Sequence, residues 1–285
     1  MKWSDMGRSS NIEDRRGGGG GFGRMGMGLG GTAILLVLSL LFGRNLFEDT
    51  GTASTTVGES NGQLAPADSA REEPEVRFVS FVLDDAQNTW TEILPKYGAR
   101  YHDAKLVLFR DATETGCGVG QTAMGPFYCP NDEKVYIDLG FYDELKNKFG
   151  ASGDFAQAYV IAHELGHHVQ HILGTDAQVR RAEQSDPAAA NQYSVALELQ
   201  ADCFAGVWAH STQQRDKLDP GDIEEGLNAA ASVGDDRILA QAGRRVNADS
   251  FTHGSSQQRV SWFRKGFESG DPRVCDTFSA MGMSR

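Results

Sequence analysis

The sequence predicts an α+β fold, in which a small antiparallel or mixed sheet packs on a largely helical body and one transmembrane helix precedes both. Three observations support this prediction. A stretch without charged residues spans residues 25–43, short β-type runs lie between residues 105 and 139, and helical periodicity dominates from residue 140 onward. The 285 residues, 40% of them hydrophobic, are enough to bury one good-sized core.

The first 75 residues are predicted to contain no folded domain. Residues 1–24 are polar and glycine-rich, which predicts a disordered cytoplasmic tail. Residues 25–47 are predicted as a transmembrane helix, because their apolar stretch matches the ~30 Å core of a bilayer. A cleaved signal peptide is the alternative, but "GRNLFEDT" lacks a small-x-small cleavage pattern. Residues 48–75 predict a flexible linker, and residues 76–285 the folded domain.

The charge distribution predicts the location of the chain and excludes one class of partner. Basic residues are more frequent before the apolar stretch than after it. This bias predicts a single-pass protein of the inner cell membrane, with a cytoplasmic N-terminus and the folded domain in the periplasm or outside the cell. The net charge of −12 argues against a nucleic-acid partner, since phosphate binding requires a clustered basic face.

Four cysteines, all after the apolar stretch, are candidates for two disulfides. Three pairings are possible. One of them closes a local loop between Cys117 and Cys129 and ties Cys203 to the C-terminal Cys275. Buried free thiols are the alternative, and none of the four has the C-x-x-C spacing of a zinc knuckle or redox motif.

The first part of the folded domain alternates between a helix and short strands. Helical spacing of apolar residues runs from about residue 76 to Pro95. The run "AKLVLFRD" then predicts one strand, and "GPFYCPNDEKVYIDL" predicts two strands around a turn. These runs supply the small sheet.

The second part is predicted to be mostly helical, from start and stop signals. The expected helices begin near Gly140 to Asp143, run from Ser152 or Asp154 to Gly174, run from Pro187 to Trp208, and begin again at the capping-box pair Ser255 and Gln258.

The second of these helices carries "HELGHHVQH", residues 163–171. His163 and His167 are four residues apart, so both imidazoles project from one helix face and can reach one ion at about 2.0–2.1 Å. Glu164 is displaced by one position, where it can contact a metal-activated water without binding the metal. A catalytic zinc site needs three protein ligands, so the third must come from another segment of the chain.

Three residues are candidates for that third ligand. His171 continues the stripe, but positions 163 and 171 are about 12 Å apart along the helix and cannot converge on one ion. His168 lies about 100° around the helix and is predicted to be solvated. Glu198 is favoured, because its surroundings are apolar and an unpaired carboxylate there would be costly. Asp202, four residues on, is then placed to accept the other ring N–H of a ligand histidine.

The segments "HELGHHVQ" and "LELQADCFAGVWA" resemble the gluzincin arrangement of thermolysin-like metallopeptidases, H-E-x-x-H followed by E-x-x-x-D. The chain is most similar to bacterial neutral zinc metallopeptidases of the membrane-anchored type. The resemblance starts near Val76 and includes "AMGPFYCPNDEKVYIDL" and "FTHGSSQQRVSWF". It implies a zincin-like domain with one catalytic Zn²⁺ at His163, His167 and Glu198, and with Glu164 as general base.

The resemblance also implies a substrate-binding edge strand. In thermolysin-like enzymes such a strand pairs with the substrate backbone. Pro126, Phe127 and Tyr128 would lie on it, pinned by a disulfide between Cys117 and Cys129. An ordinary edge strand protected by prolines is the alternative.

A peptidase also needs a donor to the developing oxyanion. His253 is the candidate, with Tyr193 and Tyr159 behind it. A loop or capping role for His253 is the alternative.

These features predict a membrane-anchored zinc metalloendopeptidase that acts on peptides or unfolded proteins. The alternative is a non-catalytic, membrane-tethered binding or scaffold module with a structural or vestigial metal site. A fourth protein ligand would distinguish a structural site. Cys203 follows Asp202 but points about 100° away on the helix, which disfavours that closure.

Overall fold

The structure is a computed structural model that describes residues 1–17 and 66–283. Its fold is mixed α+β, as predicted, with two small sheets and a larger set of helices. The strands are β1 (Ile12–Asp14), β2 (Lys105–Phe109), β3 (Ala112–Thr115), β4 (Gly118–Gln121), β5 (Phe127–Cys129) and β6 (Lys134–Asp138). The helices are α1 (Pro66–Ile93), α2 (Gly140–Asn147), α3 (Asp154–Ile172), α4 (Thr175–Ser185), α5 (Ala190–Gln214), α6 (Asp222–Ser232), α7 (Asp235–Gln241), α8 (Ser256–Ser269) and α9 (Thr277–Ala280).

The main sheet is mixed and has the strand order β1-β2-β6-β5. Strands β1, β2 and β6 are parallel, and Leu106 pairs with Val135 in the register of β2 and β6. Strand β5 runs antiparallel to β6, with Phe127 opposite Tyr136. Strands β3 and β4 form a separate antiparallel hairpin. The predicted edge strand is therefore an edge strand of the sheet, and its outer side has no neighbouring strand among the described residues.

Helix α3 runs through the centre of the helical body and packs against α1, α5 and α6. Its apolar stripe is buried, including Phe155, Ile161 and Leu165. It crosses α5 closely, because a Cβ at Gly166 would lie only 3.0 Å from the Cα and the carbonyl oxygen of Ala201. A larger residue at position 166 would require Ala201 to shift by a few tenths of an ångström. This crossing brings the two segments that carry the predicted metal ligands together.

Helices α5 and α8 pack closer still, and a disulfide joins α5 to the C-terminal segment. A Cβ at Gly206 would lie 2.1 Å from the carbonyl oxygen of Phe263. Cys203 on α5 is joined to Cys275, and Cys117 is joined to Cys129 at the end of β5. The structure thus has one of the three possible pairings, and it anchors both the edge strand and the C-terminal segment.

The predictions for the first 75 residues require correction. Residues 12–14 form β1, whose backbone pairs with the otherwise free edge of β2, so this part of the predicted disordered tail is ordered. The side chain of Arg16 is 2% exposed and bonds Asp14 and Glu72. Amino-acid composition does not predict this strand, because its hydrogen-bonding partner, β2, is distant in the sequence. Of the predicted linker, residues 66–75 belong to α1.

The predicted localisation is also wrong. No helix within residues 1–17 and 66–283 has the length and apolar character needed to cross a bilayer. The N-terminal segment lies on the same domain as the residues after position 66, since the amino group of Met1 is 2.7 Å from Asp154 Oδ2. The predicted span, residues 25–47, and residues 48–65 of the predicted linker lie outside the described residues.

Candidate metal centre

Three side chains from α3 and α5 converge as predicted. Glu198 on α5 places its carboxylate between the two imidazoles of α3, with Oε2 3.2 Å from His163 Nε2 and Oε1 3.4 Å from His167 Nε2. One ligand atom from each residue lies within 4.8 Å of the others. We call His163, His167 and Glu198 the His163 centre.

The geometry of the His163 centre fits a zinc ion. Two ligands at 2.0–2.1 Å from a tetrahedral ion are separated from each other by about 3.3 Å. The separations between Glu198 and the two histidines, 3.2 Å from Oε2 and 3.4 Å from Oε1, are close to that value, each through a different carboxylate oxygen. Two neutral imidazoles and one carboxylate are also a donor set of catalytic zinc sites. These three residues could therefore hold a zinc ion and leave one coordination position open.

Asp202 contacts the ring of His163. Its Oδ1 lies 2.9 Å from His163 Nδ1. Because a carboxylate only accepts, Nδ1 carries a hydrogen, so Nε2 is the nitrogen left to face Glu198 and to bind an ion when the ring is neutral. Asp202 is fully buried and also accepts a hydrogen bond from the hydroxyl of Tyr159. The imidazole is thus held in the tautomer that a metal ligand requires.

Gln170 has the same role for His167, and sequence reasoning missed it. Its Oε1 lies 2.8 Å from His167 Nδ1, and its Nε2 donates to the carbonyl oxygen of Leu197 on α5. The side chain is 1% exposed. Its position, three residues after His167, was the signal that could have identified it.

Arg259 on α8 was also missed. Its guanidinium donates to both oxygens of Asp202, at 2.8 and 2.9 Å, and its side chain is 4% exposed. Nη2 also lies 3.9 Å from Glu198 Oε2. The residue belongs to the "FTHGSSQQRVSWF" segment, but no local spacing linked it to the metal motif. The buried cation Arg259 thus stabilises the carboxylate of Asp202 and lies near that of Glu198.

The titration behaviour of the carboxyls follows from these neighbours. Burial disfavours the charged form of Asp202, but Arg259 and His163 outweigh burial and lower the pKa of Asp202. In the same way, the two ligand histidines outweigh burial and hold the pKa of Glu198 well below its usual value. Burial dominates at Glu164 and raises the pKa of its carboxyl. The ligand and its supporting carboxylate are therefore ionised, while Glu164 has a raised proton affinity.

A cavity of about 650 Å³ opens over the His163 centre. Glu164 lines it together with the three ligands, and Pro126, Phe127 and Tyr128 of the edge-strand segment form part of its wall. Apolar side chains such as Phe141 and Val160 contribute most of the remaining surface. The edge strand and the metal ligands thus face one open groove of the size that binds ligands.

His168 is not solvated, contrary to the prediction. It is fully buried, with Nε2 2.8 Å from the carbonyl oxygen of His102 and Nδ1 3.0 Å from the hydroxyl of Tyr128. Burial lowers its pKa to about 4. The reason is that β5 and the segment before β2 cover this side of α3. His171 lies outside the His163 centre, as predicted, and bonds Asp176.

His253 lines the cavity. Of the two tyrosines predicted to lie behind it, Tyr159 lines the cavity and Tyr193 does not. The ring of His253 contacts Asp235, and the charges of Asp235 and Glu198 outweigh desolvation and raise the pKa of His253. Tyr159 also lines the cavity, but its hydroxyl is engaged by Asp202. Tyr193 packs in a separate apolar cluster with Phe278 and is not among the cavity residues.

Comparison with known proteins identifies relatives of the chain. The chain is similar to "Uncharacterized protein YpfJ" of Escherichia coli strain K12, with 51% identity over 98% of this chain and 99% of that protein. It is also similar to "Uncharacterized protein Rv2575" of Mycobacterium tuberculosis strain H37Rv, with 46% identity over 67% of this chain and 66% of that protein. No solved structure matches the chain.

A family model described as "Putative neutral zinc metallopeptidase" matches residues 1–278, almost the full length of the sequence. The match includes the α3 and α5 segments that form the His163 centre, and a zinc peptidase requires such a donor set. The chain therefore belongs to this neutral zinc metallopeptidase family.

Proposed function

We propose that the chain is a zinc-dependent endopeptidase with a zincin-like domain of the gluzincin type. The convergence of His163, His167 and Glu198, with Glu164 beside them in an open groove, carries the proposal. When bound, zinc lowers the pKa of a coordinated water and polarises the carbonyl to be cleaved. The remaining functions fall to the side chains of this protein.

Glu164 is the general base in this proposal. It follows a ligand histidine directly, faces the same groove, and has a carboxyl pKa raised by burial. A raised pKa brings a carboxylate closer to the proton affinity that efficient general-base catalysis requires. Glu164 accepts the proton of the attacking water and delivers it to the leaving amine.

Strand β5 is proposed to bind the substrate backbone. It is the edge strand of the main sheet and lines the groove that contains the His163 centre. An extended peptide can pair with such an edge by strand addition, a mode that reads the backbone more than the side chains. The disulfide at Cys129 anchors the end of the strand. We therefore propose peptides and unfolded proteins as the substrate class.

His253 is proposed to stabilise the oxyanion, because its raised pKa favours a charged donor in the groove. Replacing His253 by Ala is expected to lower kcat by about 10²–10³-fold and to leave zinc binding unchanged. His253→Gln, which keeps an N–H donor, should recover part of the loss. Steady-state kinetics on one peptide tests this. An unchanged kcat in His253→Ala would show that His253 has only a structural role in its loop.

The scaffold alternative requires a metal site closed by a fourth protein ligand. Cys203 cannot supply it, because its sulfur is bonded to Cys275. The His163 centre groups three candidate ligands from the described part of the chain, and they border an open groove. This arrangement favours a catalytic over a structural ion.

Removal and return of zinc tests the proposed function. The full chain is incubated with a pool of peptides and unfolded proteins, before and after treatment with a zinc chelator. We expect cleavage to stop in the chelated sample and to return when stoichiometric Zn²⁺ is added. Cleavage that persists in a sample shown to be free of zinc would reject the proposal.

A further inference from the structure

A second group of imidazoles and one carboxylate surrounds the turn between β5 and β6. One nitrogen each of His102 and His168 and one oxygen of Glu133 lie within 4.8 Å of one another. We call these three residues the Glu133 cluster. Its donor set, two imidazoles and a carboxylate, is that of the His163 centre. Such a set suits zinc and neighbouring transition ions better than Mg²⁺ or Ca²⁺, which prefer oxygen ligands.

Glu133 lies between imidazoles of two different segments. Its Oε2 is 2.5 Å from His102 Nε2, and its Oε1 is 3.9 Å from Nε2 of His171 on α3. The side chains of His102 and Glu133 are 55% and 42% exposed, so an ion in solution can reach them. Each oxygen of the Glu133 carboxylate thus faces an imidazole nitrogen.

His171 is oriented as a metal-binding histidine is. Its Nδ1 lies 2.8 Å from Asp176 Oδ2, which also accepts a hydrogen bond from Arg180. Nδ1 therefore carries a hydrogen, and Nε2 is the nitrogen that faces Glu133. Asp202 holds His163 in the same way, and such carboxylate–histidine pairs are typical of metal sites.

His168 supplies the buried side of the cluster. Its ring is held between the carbonyl oxygen of His102 and the hydroxyl of Tyr128. Binding an ion through His168 requires one of these two hydrogen bonds to open. If the bond to Tyr128 opens, β5 responds directly, because Tyr128 belongs to that strand.

Another group of potential ligands, Asp154, Asp222 and Glu225, differs in one respect. The amino group of Met1 lies 2.7 Å from Asp154 and 3.4 Å from Asp222. A cationic group of the protein thus already pairs with two of these three carboxylates. The Glu133 cluster has one carboxylate and two imidazoles, and the ion-pair contacts of Glu133 within the described residues are with imidazoles.

We propose that His102, Glu133 and His168 form a second binding site for a zinc-type divalent ion, with His171 as a fourth donor. The ion would link the segment before β2, the β5–β6 turn and α3. Since His168 is adjacent to His167 in sequence and bonds Tyr128 of β5, an ion at this site would act on the edge strand. The proposal concerns binding and does not depend on peptide hydrolysis.

Zinc titration of the full chain tests the proposal, with Zn²⁺ as the probe and a chromophoric chelator as competitor. The wild-type chain is expected to bind two equivalents, one tightly and one more weakly. His102→Ala and Glu133→Gln, both at exposed positions, should lose the weaker equivalent and keep the tight one. Glu198→Ala should show the reverse.

A histidine outside both groups provides the control. His210 bonds the carbonyl oxygen of Phe267, and His210→Gln should still bind two equivalents. Circular dichroism of each variant establishes that the fold is retained. One equivalent in the wild-type chain, or two in both His102→Ala and Glu133→Gln, would overturn the proposal.

Discussion

The Glu198→Ala variant is expected to lose its tightly bound zinc and, with it, detectable peptide hydrolysis. Removing a residue that only orients a ligand lowers metal affinity about 10–100-fold, so loss of a direct ligand should exceed 100-fold. Glu198 contacts both histidines of the centre, and its loss also leaves the charged neighbour Arg259 less compensated. Zinc content after dialysis and the zinc-induced rise in Tm measure the effect, because an ion that binds the folded state stabilises it.

Glu183→Ala is the matched control for this variant. Glu183 lies on α4 and accepts a hydrogen bond from Ser194 of α5 at 3.3 Å, away from the His163 centre. We expect normal zinc content and a normal zinc-induced rise in Tm. A full equivalent of tightly bound zinc in Glu198→Ala would reject Glu198 as the third ligand.

The second large effect is expected on folding stability. Arg259→Met should lower the free energy of unfolding of the zinc-free protein by about 3–5 kcal/mol, because it leaves Asp202 as a buried and poorly compensated charge. Both side chains are nearly inaccessible, and two hydrogen bonds of 2.8 and 2.9 Å join them. Urea unfolding in the presence of a chelator measures the change without a contribution from zinc.

A double variant separates the buried charge from the loss of packing. Asp202→Asn combined with Arg259→Met removes the charge and keeps an oxygen acceptor for His163. The double variant should be less destabilised than the sum of the two single variants, by roughly 0.5–3 kcal/mol. Additive losses would show that Asp202 and Arg259 are not coupled.

Much of the fold and the core of the site could be predicted, because local signals determine them. Helix α3 begins at Asp154 with Gly153 as its N-cap, one residue from each of the two predicted caps, and Ser255 caps α8 with the predicted capping box. The i, i+4 spacing placed His163 and His167 on one face, and the apolar surroundings of Glu198 marked it as buried against a partner. Each of these predictions depends on residues within a single helix.

Features that depend on long-range packing could not be predicted. Arg259 reaches Asp202 from a helix 57 positions away, and no periodicity reports that contact. His168 was assigned to solvent because helix geometry does not reveal which segments cover the other faces of a helix. The N-terminal strand was missed for the same reason, since its partner β2 lies about 90 residues later in the chain.

The most direct test of the account compares the wild-type chain with Glu164→Gln, both loaded with equal amounts of zinc. Mass spectrometry of a peptide and unfolded-protein pool measures new termini over time. Because a general base contributes about 10²–10⁴-fold, we expect cleavage by the wild-type chain and a loss of that size in the variant, with zinc content and fold unchanged. Equal cleavage by both proteins, or none by the zinc-loaded wild-type chain, would contradict the proposed peptidase mechanism.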